Sequence, residues 1–162
     1  MAHGKTIPRN WAVCTIFAVL LLSSSSFAQQ GSTPPQQQQA ARAPDPHASE
    51  ELAAQRQALG FLQYLDQGRY PDSYAYTSRL IRAKLSQAQF GQEVQKARAS
   101  LGAKQTRKLL NASYATSLPD APSGQYVVLQ YNTDFANKSN AVETLTLSFE
   151  NGYWWVAGWY VR

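Results

Sequence analysis

The chain has 162 residues, 44% of them hydrophobic, which is enough for one apolar core after its ends are set aside. Its single cysteine, Cys14, lies in an N-terminal apolar run, so disulfide scaffolds, thiol nucleophiles and cysteine-bound metals are excluded from the rest of the chain. The net charge of +5 is unevenly spread: ten basic residues and five acids fall between Glu50 and Asn111, whereas the stretch after Asn111 is acidic, so nucleic-acid binding is not implied.

Met1–Asn10 carries Lys5 and Arg9 and no acid, and Trp11–Leu22 is apolar apart from Thr15. As a helix that run would span about 18 Å, short of a ~30 Å hydrocarbon core. Ser26 and Ala28 then supply the small-x-small pattern of a signal peptidase site. We therefore expect a secretory signal over 1–28, cleavage after Ala28, a periplasmic or secreted product, and no membrane span after cleavage. Cys14 precedes Phe17–Leu22 and so does not fit a lipidation cysteine, which must follow the apolar run. Cleavage also removes two positive charges.

Residues 29–48 contain four prolines, six glutamines and no large apolar side chain, the composition of a linker that buries too little surface to order itself. His47 falls in this linker. A single domain is expected over 49–162.

Ser49 is the expected N-cap of a first helix to about Asp66, with Glu50 and Glu51 in its first turn and Leu52, Leu59, Leu62 and Leu65 as its apolar stripe. Pro71 and Asp72 open a second helix with Tyr74, Leu80 and Ile81 toward the core. Ser86-x-x-Gln89 has the spacing of a capping box and starts a third helix through Phe90, Val94 and Leu101, with Gly102 as its stop.

From Gln105 the period becomes two, and strands are expected at Gln105–Ser117, Gln125–Asp134, Ala141–Glu150 and Tyr153–Val161. Pro119–Gly124 and Asn137–Asn140 read as turns. Asn151-Gly152 is a two-residue hairpin turn, because both residues tolerate positive φ. Three helices followed by such a meander make an α+β domain, its helices packed on one face of a curved four-stranded antiparallel sheet.

Arg98-x-x-x-Gly102 followed by Arg107, Leu118-Pro-Asp-Ala-Pro-Ser-Gly124, Phe135-Ala-Asn-Lys138, Ala141-Val-Glu-Thr144 and Asn151-Gly-Tyr-Trp-Trp-Val-Ala-Gly158 stand in this order along the chain. Together they resemble a family of short bacterial exported proteins catalogued as domain of unknown function number 4019, over about Leu52 to Val161. Trp159 stands where the family leads us to expect tyrosine, and Phe90 where it leads us to expect tryptophan. The resemblance implies a cystatin-like or nuclear-transport-factor-2-like fold and brings no activity with it.

No phosphate-cradling glycine loop, metal-spaced histidines or G-x-S-x-G elbow occurs, and no metal or cofactor is expected. Glu143 is the most informative acid. It shares the apolar face of its strand with Leu145, Leu147 and Phe149, and a buried carboxylate needs a partner. Arg98 and Arg107 are the candidates. The group reads either as an ion pair fixing strand register or as an acid in a pocket mouth that binds a ligand or moves a proton. Arg79, Arg82, Arg98 and Arg107 also make a candidate basic surface. On the last strand, strict alternation puts Trp155 with Trp159 on one face and Trp154 with Tyr160 on the other, the second pair forming a candidate aromatic surface. Cover by a neighbouring subunit or by the linker would serve that surface too, and the first leaves a homodimer open. The expected function is a non-enzymatic envelope module that binds a small ligand or a protein partner. The alternative is a small hydrolase- or isomerase-like enzyme with Glu143 as acid/base in a cone-shaped pocket.

Overall fold

The computed structural model describes residues 45–162, so the expected signal segment and most of the expected linker lie outside the described residues. The architecture is α+β: helices come first, and one four-stranded antiparallel sheet follows in the order β1-β2-β3-β4.

Helix α1 runs Ala48–Asp66. It begins one residue before the expected N-cap Ser49. His47 takes the cap position without a side-chain cap bond, its N–H donating to Asp45 Oδ1 at 2.8 Å. The His47 ring stacks on Tyr114 with centroids 3.8 Å apart, so this residue is part of the folded body rather than of a linker. The apolar stripe is also rotated from the expected one. Ala54, Ala58, Phe61, Leu62 and Leu65 are buried, whereas Leu52 and Leu59 are exposed. Small alanines let the helix approach the sheet closely, and large leucines at 52 and 59 are left outside that contact.

The second expected helix is broken into α2 (Tyr70–Ser73), a 3-10 turn (Tyr74–Tyr76) and α3 (Arg79–Arg82). Tertiary contacts explain the break. Thr77 is extended and bridges Val156 in parallel, and Ser78 N–H donates to the Val156 carbonyl at 2.8 Å. The Thr77 hydroxyl and the Arg82 guanidinium take up the Tyr74 and Ala75 carbonyls that a continuous helix would have used. Gly60 on α1 makes room for this segment, since a Cβ there would meet the Tyr76 ring at 2.7 Å.

Helix α4 (Gln87–Arg98) carries the expected capping box: Gln89 N–H donates to Ser86 Oγ, and Ser86 N–H donates to Gln89 Oε1 at 3.0 Å. It ends at Arg98, four residues before Gly102, whose φ of +76° instead turns the chain into the sheet.

The strands are β1 (Lys104–Ala115), β2 (Tyr126–Phe135), β3 (Lys138–Glu150) and β4 (Tyr153–Val161). Asn151 and Gly152 both take positive φ, as a two-residue hairpin demands. The β2–β3 turn is shorter than expected, with Phe135 paired directly to Lys138. The core lies between the helices and one sheet face. Phe61, Leu62 and Leu65 of α1 and Phe90 and Val94 of α4 pack with Val127, Leu129, Leu145, Leu147, Trp154 and Val156. Phe149, expected in this core, is exposed at the hairpin end against Trp154.

Candidate functional site

Two features stand out, a buried cluster of charges and an apolar groove beside it. Glu143 is wholly buried and receives three hydrogen bonds. Arg107 Nε donates to Oε2 at 2.6 Å, the Thr133 hydroxyl to Oε2 at 2.9 Å, and Trp159 Nε1 to Oε1 at 2.9 Å. The far side of the Arg107 guanidinium grips Asp66 through Nη1 at 2.6 Å and Nη2 at 2.9 Å, and Arg98 Nη2 reaches Asp66 Oδ1 at 3.2 Å.

The structure thus brings Arg98, Arg107 and Glu143 together, as their sequence pattern implied, with Asp66 between the two arginines. Two positive and two negative charges balance. Burial alone would lower the Arg107 pKa, but its bonds to Asp66 and the charges of Glu143 and Asp66 outweigh that and hold it above the ordinary guanidinium value. Burial pushes the nearby Tyr131 phenol up to about 12, with the Arg107 charge opposing and Glu143 assisting. Tyr131 Oη and Arg98 Nη1 are buried without a hydrogen-bond partner among the described residues.

Asp66 is the member that no sequence motif singles out. It carried a signal: it is the last residue of α1, where the helix dipole disfavours an acid, and no basic residue stands in that turn. The compensating charges come from α4 and β1.

Two of the four arginines leave the expected basic surface, since Arg98 is buried and Arg107 is nearly so. Arg79 and Arg82 are exposed, and Arg82 lies over the Tyr74 and Trp155 rings while bonding backbone carbonyls. The aromatic pairing on β4 is also corrected. The β3–β4 register shifts between Thr146/Gly158 and Leu147/Val156, leaving Ala157 as an extra residue. That bulge flips the alternation, so Trp154 and Trp159 share the core face, and Trp155 lies on the face of Tyr160. Trp154 is buried at 5% exposure and Tyr160 is 44% exposed, so the two form no common surface.

The groove runs along the outer edge of β4. Its floor includes the five consecutive residues Ala157–Val161, and its far wall is Phe90, Glu93, Val94 and Ala97 of α4, with a volume of about 500 Å3. Consecutive β4 side chains point to opposite faces, so what all five share with the groove is the backbone edge. A second cleft of about 600 Å3 continues around Ile81, Leu85, Gly158 and Tyr160 to the Leu118–Pro122 turn. Glu143 lines neither; Trp159 stands between it and the groove. Among the described residues no three His, Cys, Asp or Glu side chains converge as metal ligands, and no helix is long and apolar enough to cross a membrane.

A family described as "Protein of unknown function (DUF4019)" matches residues 57–159, which include Arg98, Arg107, Glu143, Trp159 and most of the groove. No curated protein matches the chain.

Proposed function

The chain belongs to the DUF4019 family, and from that premise we propose that it is a non-enzymatic binding module of the bacterial envelope. The signal pattern over 1–28 supports export, with the domain released as a periplasmic or secreted protein. The order of helices and meander supports a cystatin-like or nuclear-transport-factor-2-like relationship for the fold.

One observation carries the binding reading: the concave surface and the charged cluster are separate. The groove is lined by Phe90, Val94, Leu101, Trp159 and Val161, side chains suited to an apolar or aromatic ligand. The best acid for proton transfer is sealed behind Trp159, with three donors on its two oxygens. An acid/base enzyme would need that carboxylate to face substrate, so the enzymatic alternative has less support.

The test is a titration of the chain from Gln29 onward with the apolar probe anilinonaphthalene sulfonate, followed by dye fluorescence and Tm. Saturable one-to-one binding is expected, lost in Ala97→Glu, which places charge on the exposed groove wall without touching the core. Absence of any binding, or binding unchanged in Ala97→Glu, overturns the assignment of this groove.

A further inference from the structure

The backbone along the groove carries more information than its apolar lining. Val142 and Arg162 exchange both backbone hydrogen bonds, so the ladder alternation aims the N–H and C=O groups of Tyr160 and Gly158 at β3. The corresponding groups of Trp159 and Val161 therefore point away from the sheet, into the groove. Just upstream, the edge is already used: Thr77 bridges Val156 in parallel and Ser78 N–H bonds its carbonyl. The chain then leaves this track into α3, and among the described residues no backbone pairs with the edge beyond Ala157.

We propose that the groove binds an extended peptide segment of a protein partner, added as a fifth strand on β4, a reading that rests on the groove being the binding site. Two N–H and two C=O groups at a two-residue period match an extended backbone, which is the only common ligand offering both at that spacing. Alternate side chains of the added strand would enter the apolar space under Phe90 and Val94, which calls for alternating apolar residues.

Charge selects the flanks. Lys138 lines the groove, and Lys84 lines the adjoining cleft. Neither is among the ion pairs of the described residues, whereas the groove acid Glu93 is held by Lys96 at 2.9 Å. Asp120 is the one acid of the outer cleft. The complementary segment is apolar in alternation and acidic at its ends.

The probe is a synthetic peptide alternating valine and threonine between terminal aspartates, compared with a lysine-flanked version and one N-methylated at alternate residues. Tryptophan emission reports occupancy, and amide hydrogen exchange reports pairing. Slower exchange at Trp159 and Val161, loss of binding on N-methylation, and roughly tenfold weaker binding with lysine flanks or in Lys84→Glu/Lys138→Glu are expected. If the peptides leave both amides unprotected while anilinonaphthalene sulfonate still binds, strand addition is overturned and the groove reading stands. If neither binds, both fall. Protection of these amides in the peptide-free protein, rising with concentration alongside a doubled mass, overturns the peptide in favour of a second copy of the chain.

Discussion

The two edges of the sheet meet solvent in different ways. On the β1 edge, the register slips between Leu109 and Asn111, Lys104 and Lys108 add charge, and Glu51 of α1 accepts the outward Tyr114 N–H at 3.0 Å. A bulge, lysines and a side-chain cap are the ordinary means of keeping an edge from pairing with another strand. The β4 edge has a bulge too, at Ala157, but past it come Trp159 and Val161 facing an apolar groove. One edge is closed by chemistry and the other is kept open. What joins them is the buried cluster, since Arg107 from β1 and Trp159 from β4 both end on Glu143.

The comparison can be broken most severely at Arg107. Arg107→Leu strands Asp66 and Glu143 without their main cation, and stability should fall by about 3–5 kcal/mol, read by urea denaturation. A loss under 1 kcal/mol would mean that the cluster does not tie the edges together. Trp159→Phe removes one donor from Glu143, with an expected loss of about 1–2 kcal/mol. Trp159→Tyr should recover part of it, because a phenol also donates. That substitution restores the residue which the family resemblance leads one to expect, so Trp159 departs from the pattern in shape while keeping the donor.

Glu51→Ala uncaps β1. The expected stability loss is about 1 kcal/mol, with faster exchange of the Tyr114 amide and no change at Trp159; unchanged exchange at Tyr114 would show that Glu51 does not close that edge. The smallest effect is predicted for Tyr131→Phe, which removes a buried hydroxyl that has no partner among the described residues. At neutral pH it should be neutral or stabilising by up to about 1 kcal/mol. The wild-type phenol is raised from 10.0 to about 12, so its neutral form is favoured by folding. That contribution is complete below pH 10 and is lost as pH rises through 12. The variant should therefore lose less stability across that window, and equal slopes for both proteins would refute the assignment.

Much of this was legible residue by residue. Ser86 and Gln89 announced a capping box, and Asn151-Gly152 announced a hairpin, because each is a local device whose partners sit within a few residues. Glu143 was legible as a buried acid seeking an arginine, since Leu145 and Leu147 marked its face. The aromatic strip was not. One extra residue at Ala157 inverted the pairing of Trp154 and Tyr160, and nothing in WWVAGWY announces where a strand will bulge. The second helix failed for a similar reason: Pro71 does favour helix, but the Thr77–Val156 bridge, 79 residues apart in sequence, breaks it.

By itself, then, the sequence determined the α+β order, the strand boundaries to within a few residues, and the need of Glu143 for a cation. These follow from periodicity and burial, which neighbouring residues encode. Only the tertiary structure decided that Asp66 would be the second anion, that Trp159 would separate the cluster from the groove, and that the β4 edge would stay open. Those outcomes depend on the register of β3 against β4 and on where α4 lies beside the sheet, long-range choices that no local spacing records.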